Sequence, residues 1–387
     1  MRGDGSSINL TRYCNNGDGM IAGPALENLV TAVAETCRLG FEPDELRSRV
    51  LPRLRSAVPV DALWSASVDP ATLLFTRPYR EEIPADSGPY FVQNEYLSDD
   101  ANKWTELARF PGGVRTLLEA TGGELEKSAR YRDIFQPLGL ADELRAALRS
   151  GGVTWGFLCL HREGPTGFSA DETQFVKRIA PHLAEGIRLG LLIGSLQLEQ
   201  AADAPGLVLL TEDGSLLTAN PAGEQWLDEL ADPTASGALP LELLAVAATL
   251  RASANTASVH PRLRVRTRAG RWAVLHASWL GAKPTVAVII EQAAPVEIAP
   301  ILMAAYGLTK QERTIAGLVC QGLSTEQIAT QLHVSANTVQ DHLKSIFVKT
   351  NVRSRRELVA AILRHDYLPQ IARGQQLGAN GFFAHDS

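Results

Sequence analysis

Three helix starts follow one another closely near the C-terminal end of this 387-residue chain, and they constrain its fold more than any other feature. Residues 309–312 (Thr-Lys-Gln-Glu) and 324–327 (Ser-Thr-Glu-Gln) are capping boxes, in which the first and last side chains each bond the other's backbone amide. Gly322 ends the first helix as a left-handed residue, and Ser335 caps a third helix. With a fourth helix over about 354–363, the pattern predicts a compact all-helical module.

The third helix of this module has one apolar and one polar face. Val339, Leu343 and Ile346 are spaced to be buried, which leaves the polar residues outside. Two short helices, a tight turn and a longer third helix form the arrangement that places a helix in the DNA major groove. We expect DNA contacts from ten residues: Ser335, Asn337, Thr338, Gln340, Asp341, Lys344, Lys349, Arg353, Arg355 and Arg356.

These residues differ in expected role. Gln340 suits adenine, and Lys344 reaches either a guanine edge or a phosphate. Arg353, Arg355 and Arg356 are expected to meet the phosphate backbone. Two interpretations of Asp341 stay open: it accepts a hydrogen bond from cytosine N4, or it only caps or solvates the helix.

The charge distribution supports a DNA-facing end. Residues 306–365 contain eight Lys/Arg and four Asp/Glu, a net charge of +4, whereas the whole chain carries −6. The rest therefore carries −10. A basic module on an acidic body is typical of a protein with one nucleic-acid-binding domain.

Residues 306–363 resemble the LuxR-type helix-turn-helix. The resemblance implies a transcription regulator that binds double-stranded DNA, acts as a homodimer and has RNA polymerase as a candidate further partner. Gln340 stands where family members often carry a basic residue, and Thr350 replaces a usual Leu. The residues that fit the family pattern are Glu312, Gly322, Glu326, Ile328, Ala329, Val334, Ser335, Thr338, Val339, His342, Ile346 and Lys349.

Two sensor-like domains precede this module. Trp155-Gly156-Phe157, Phe168-Ser169 and the helix ending at Ala180-Pro181-His182-Leu183 resemble a GAF domain. The strand 206–210, the Asp213-Gly214 turn, the strand 216–219 and the helix start at Asn220 resemble a PAS domain, as do three later strands. The cyclic-nucleotide motif of GAF domains is not evident in this sequence, so the resemblance implies no particular ligand.

The sequence therefore predicts a multidomain α+β protein: GAF-like and PAS-like antiparallel-sheet sensor domains, then an all-α four-helix LuxR-type domain. We expect an apolar pocket with a few polar groups in one sensor domain, the alternative being solid packing for dimerisation. The predicted segments are a disordered N-terminus (1–22), a GAF-like domain with a long C-terminal helix (23–203), a PAS-like domain (204–292), a linker (293–304), the helix-turn-helix domain (305–366) and a tail (367–387).

A candidate dimerisation face lies on the long helix that starts near Glu172. Gly186, Gly190 and Gly194 recur every four residues, beside Ile187 and Leu191. Each glycine costs a helix roughly 1 kcal/mol relative to alanine, so three on one face require a packing reason. The smooth face lets another helix approach closely, either across a dimer or within the same domain.

The remaining observations limit the other function classes. The four cysteines show no metal-ligand spacing, so we expect neither a metal nor a cofactor, although a small-molecule ligand remains a candidate. No apolar run approaches 20 residues and the start has no signal-peptide pattern, which predicts a cytoplasmic protein without membrane contact. A non-enzymatic regulator is the leading hypothesis. Its rivals are a GAF-fold redox enzyme acting through Cys159 and an interaction switch with a vestigial DNA module.

Overall fold

The computed structural model describes residues 24–164, 166–194, 204–232, 237–253, 261–280 and 285–362. The predicted disordered N-terminus (1–22) and C-terminal tail (367–387) lie outside these residues. Within them the chain forms two antiparallel sheets with flanking helices, followed by a helical C-terminal module. The predicted α+β fold class is confirmed.

The first sheet belongs to the N-terminal half and has the strand order β2-β1-β5-β4-β3. Its longest strands, β4 and β5, form a hairpin whose turn is Gly151-Gly152, with both residues at positive φ. The elements of this half are α1 (Pro24–Cys37), α2 (Pro43–Ala57), β1 (Ala62–Val68), β2 (Phe75–Glu81), α3 (Gly88–Leu97), α4 (Trp104–Leu107), β3 (Val114–Thr116), α5 (Leu117–Ala120), β4 (Leu140–Ser150), β5 (Val153–Glu163) and α6 (Ala170–Gly194).

The two faces of the first sheet are covered differently. Helices α1, α2 and α6 cover one face, where Leu144, Leu158 and Leu160 join their apolar residues. The other face carries an aromatic cluster in which Trp104 stacks on Phe157, with ring centroids 4.4 Å apart. Both faces are therefore buried, which explains why β5 shows no alternation of apolar and polar residues.

The second sheet repeats the same strand order, β7-β6-β10-β9-β8. The strands lie where the sequence predicted them, and Asn220 caps the helix that follows β7, accepting from the Gly223 amide at 2.7 Å. The elements are β6 (Gly206–Leu210), β7 (Leu216–Ala219), α7 (Pro221–Leu230), α8 (Leu241–Ala252), β8 (Arg262–Arg266), β9 (Trp272–Leu280) and β10 (Thr285–Gln292).

The two sheet units are joined by buried polar contacts. Arg264 binds the carboxylate of Asp69 with nitrogen–oxygen distances of 2.6 and 2.8 Å, and Arg266 binds Glu42 at 2.7 Å. Asp69 is nearly fully buried. Buried ion pairs with this geometry fix the orientation of the groups they join.

The segment 293–304, predicted as a linker, is instead mostly helical. Helix α9 (Pro295–Ala305) begins with Pro295 in its first turn, where proline needs no backbone partner. Its apolar residues Ile298, Ile301 and Leu302 pack into the core around α6. A segment predicted only as a linker is therefore a packed helix.

Candidate DNA interface and ligand cavity

The C-terminal module consists of α10 (Lys310–Cys320), α11 (Thr325–Leu332), α12 (Ala336–Thr350) and α13 (355–362). The predicted caps are present: Thr309 and Glu312 form a capping box, as do Ser324 and Gln327. His333 adopts a left-handed conformation with φ of 54°, which makes the tight turn between α11 and α12. The local sequence therefore sets both the helix ends and the turn.

Helix α12 presents the predicted polar face to solvent. Val339, Leu343 and Ile346 are buried against the other helices. Seven of the predicted DNA residues are exposed: Ser335, Asn337, Thr338, Gln340, Asp341, Lys344 and Lys349.

Asp341 and Lys344 form an ion pair on this face. The Lys344 ammonium lies 3.0 Å from an Asp341 carboxylate oxygen, and both side chains are about three-quarters exposed, at 73% and 75%. Such an exposed pair contributes little stability, typically ~0.2–1 kcal/mol. Its effect is to orient Lys344 and to neutralise part of its charge, a role that the sequence did not indicate.

Lys349 makes a contact that the sequence did not predict. Its ammonium donates to both carboxylate oxygens of Glu312, at 2.9 and 2.7 Å. Ser345 donates to the same carboxylate at 2.7 Å, so Glu312 joins the start of α10 to the end of α12. The ion pair forms because folding brings Glu312 beside Lys349, and the DNA contact of Lys349 stays a prediction.

The pKa of Glu312 reflects this environment. Burial opposes ionisation, but hydrogen bonds from Lys349, Ser345 and Thr309 outweigh it and lower the pKa of Glu312 from 4.5 to about 2. The carboxylate is therefore charged at neutral pH. The capping box revealed Glu312 as a helix-start residue, but not as the centre of an ion-pair network.

The arginine cluster after α12 is divided. Arg353 and Arg356 are exposed, whereas Arg355 is half-buried. The Nη2 atom of Arg355 is shielded from solvent and has no hydrogen-bond partner among the described residues. Arg353 and Arg356 are thus the two residues of the cluster best placed to meet a phosphate.

The glycine face of α6 packs within its own chain. A Cβ atom added to Gly186 would lie 2.8 Å from Leu46 of α2, and one added to Gly190 would lie 2.2 Å from the Phe41 carbonyl oxygen. Ile187 and Leu191 join the same core, and Gly194 is the last described residue of α6. This corrects the dimer assignment for Gly186 and Gly190: the close approach serves the N-terminal helices.

A cavity of about 650 Å³ lies where the two sheet units meet. Trp64, Phe91 and Phe135 line it from the first unit, and α8 of the second unit closes it with Leu241 and Leu244. An apolar pocket with polar groups was expected within one sensor domain. The structure forms it from both, because α8 packs across α3 and β2.

Glu242 is the most unusual polar residue of this cavity. Its Oε1 accepts the backbone amide of Arg77 at 2.8 Å, while its Oε2 is buried and has no hydrogen-bond partner in the described part of the chain. Arg77 lies at a β-bulge with φ of 48°, so its amide leaves the strand ladder and faces Glu242. Burial raises the pKa of Glu242 from 4.5 to about 7.

A second buried polar cluster lies beside the cavity. The Cys159 thiol donates to Glu143 at 3.1 Å and lies 3.2 Å from Nε2 of His161, which lines the cavity. Burial lowers the pKa of His161 to about 4, so the imidazole is neutral. Arg130 and Arg145 both bind the Glu143 carboxylate.

The cluster of Glu143, Cys159 and His161 is poorly suited to thiol redox chemistry and to metal binding. Burial, together with the charge of Glu143, raises the pKa of Cys159 well above its ordinary value, which suppresses the reactive thiolate. Cys37 and Cys320 belong to other hydrophobic clusters. Although ligand atoms of Glu143, Cys159 and His161 lie within 4.8 Å of one another, two guanidinium groups on Glu143 oppose a metal cation.

Comparison with known proteins identifies two of the three parts. Residues 307–362 match the family model of the bacterial regulatory proteins of the luxR family, and residues 68–187 match the GAF domain model. The monoamine regulon transcriptional regulator of Klebsiella aerogenes is 51% identical over 53 residues, 14% of this chain and 23% of that protein. A putative HTH-type transcriptional regulator of Aeromonas salmonicida is 43% identical over 58 residues, 15% of this chain and 30% of that protein.

The matched segment thus spans less than a third of the length of these two curated relatives. Among solved structures, Escherichia coli SdiA is 12% identical, with 88% of this chain and 98% of that chain covered and a TM-score of 0.33. Among the described residues, no helix has the length and hydropathy to cross a bilayer. The chain joins a GAF domain to a C-terminal helix-turn-helix domain of the luxR family of bacterial regulatory proteins.

Proposed function

We propose that this protein is a transcription regulator that binds duplex DNA through α12 and responds to a small molecule through its sensor half. The observation that carries the proposal is the exposed polar face of α12, which follows a capped start and a tight turn. The luxR-family match covers this same segment. Location in the cytoplasm, where bacterial DNA is accessible, belongs to the same proposal.

Three finer statements are also part of the proposal. The second sheet unit is PAS-like, which its strand-strand-helix-strands order and five-stranded sheet support. The protein binds DNA as a homodimer, so two half-sites lie about one helical turn apart. RNA polymerase is a further partner of the DNA-bound state.

Helix α9 supplies a physical connection between sensor and DNA-binding module. Ile298 and Ile301 belong to the core around α6, whereas Ala299 and Met303 belong to the core of the helix-turn-helix module. In addition, the Arg188 guanidinium of α6 donates to the Ala305 carbonyl. Because one short helix contributes to both cores, a displacement of α6 changes the position of the DNA-binding helices.

The test of DNA binding uses the full chain and operator fragments selected from random duplexes, with affinity measured by fluorescence anisotropy. Gln340→Ala should relax base preference at one position, at about 1–3 kcal/mol for a lost bidentate contact. The Gln340→Ala/Lys344→Ala double variant should lose discrimination between operator and random DNA. Gln311→Ala, an exposed change on α10, is the matched control and should bind like wild type.

Salt dependence separates phosphate contacts from base contacts. Arg353→Ala and Arg356→Ala should each weaken binding to all sequences alike and lower the slope of log affinity against log salt by about 1 per subunit.

Lys349→Met should lower the thermal stability of the module, because it leaves Glu312 buried without its cation. Wild-type discrimination by the double variant would contradict the proposal that α12 reads DNA.

A further inference from the structure

Two residues that line the cavity between the sheet units each have a buried polar atom that lacks a partner among the described residues. One is Oε2 of Glu242, and the other is Nδ1 of His161. Both residues line the cavity and both are almost fully buried, at 2% and 1% exposure. A buried polar atom without a partner is energetically costly, so two of them beside one cavity indicate a ligand that satisfies them.

The hydrogen-bond network assigns the role of each atom. The Cys159 thiol donates its proton to Glu143, so the Cys159 sulfur is left to accept from Nε2–H of His161. A neutral imidazole protonated at Nε2 has a bare Nδ1, which only accepts. The ionised carboxylate of Glu242 also only accepts, so in that state both unpartnered atoms require hydrogen-bond donors.

The charge of the cavity indicates which kind of donor. The Arg77 guanidinium is paired with Asp44, and among the described residues no salt bridge joins a cation to Glu242. Trp64, Tyr79, Phe91 and Phe135 supply aromatic surface for an apolar body and for cation–π contact.

We propose that the cavity binds an organic cation, a protonated amine or amidine on an apolar body, whose N–H groups donate to Glu242 and His161. The volume of about 650 Å³ falls in the range of small-molecule sites, roughly 300–1,000 Å³. Because Glu242 lies on α8 and the aromatic surface on the first unit, the ligand bridges the two units. This inference rests on the proposed sensing function and specifies its ligand class.

A charge series on one apolar body tests the ligand class. The probes are 4-phenylbutylamine, 4-phenylbutan-1-ol and 4-phenylbutyrate, titrated into the full chain by isothermal calorimetry. Wild-type protein should bind the amine at least tenfold more tightly than the alcohol and should bind the carboxylate least. Glu242→Gln keeps the shape but removes the charge, so it should weaken amine binding about tenfold or more and change alcohol binding little.

Asp86→Asn is the matched control, since Asp86 is an exposed acid at the rim of the same cavity and should affect amine binding less than threefold. Thermal unfolding of each variant identifies any that fails to fold. If Glu242→Gln does not fold, His161→Phe is tested in its place. The phenyl ring fills the position of the imidazole without offering an acceptor, so this variant should also have a lower amine affinity.

Three results would overturn the inference: no amine binding by the wild type up to millimolar concentration, equal affinity for the three probes, or unchanged amine affinity in Glu242→Gln. DNA binding without any probe is measured in parallel. Loss of amine binding with intact operator binding rejects only the ligand class. Absence of operator binding rejects the regulatory function itself.

Discussion

Replacement of Gly190 by alanine tests whether the glycine face of α6 packs inside the chain. The added Cβ atom would lie 2.2 Å from the carbonyl oxygen of Phe41 and 3.2 Å from its carbonyl carbon. These are backbone atoms, which cannot move aside by a side-chain rotation. The connection between α1 and α2 must therefore shift as a unit, or α6 must move away.

The magnitude follows from two opposing effects. Alanine stabilises a helix interior by about 1 kcal/mol relative to glycine. Overpacking in a filled core costs typically ~1–3 kcal/mol, and a backbone clash lies at the upper end. The net expectation is a loss of about 2 kcal/mol, which lowers the melting temperature of a unit this size by roughly 4–8 °C.

Gly317→Ala is the matched control, because apart from the neighbouring turns of its own helix no described atom lies within 4 Å of the Cβ position at this interior residue of α10. It should gain stability by about 1 kcal/mol. Both variants are compared with wild type by thermal unfolding followed by circular dichroism, and by sedimentation velocity. If Gly190→Ala were as stable as wild type but changed the oligomeric state, the intrachain packing of this face would be wrong.

Three further predictions concern the DNA-binding module and the buried thiol. In wild type, the ionised Glu312 stabilises the module fully above pH 4.5, and this stabilisation disappears as the pH falls towards the folded-state pKa of Glu312, about 2. Glu312→Gln should therefore destabilise the module above pH 4.5 and abolish the loss of stability that acid causes through Glu312. Unfolding measured across an acid titration tests both effects. Asp341→Ala should tighten binding to all duplexes if Asp341 only screens Lys344, whereas relaxed specificity in anisotropy titrations would identify a cytosine contact. DNA binding by the wild type should be insensitive to peroxide, and Cys159→Ser should leave DNA binding unchanged; an activity that disappears with Cys159 would instead support a redox enzyme.

Local sequence signals were sufficient wherever a structure depends on residues close in the chain. The capping boxes at Thr309 and Ser324 and the Ser335 cap appear as predicted, because cap bonds span only three residues. The strands of the second sheet followed from apolar runs bounded by turns. The polar face of α12 followed from helical periodicity alone, since its opposite face must be buried.

The tertiary structure decided every feature that depends on residues far apart in the chain. Periodicity identified a smooth glycine face on α6 but could not choose its partner, which is set by where α1 and α2 pack. The ion pair between Lys349 and Glu312 exists only because folding places these distant residues side by side. The cavity required the Arg77 amide and the Glu242 carboxylate, 165 positions apart, to meet. Hydrogen bonds and steric contact act over a few ångströms in space, so only the folded chain shows which of these groups are neighbours.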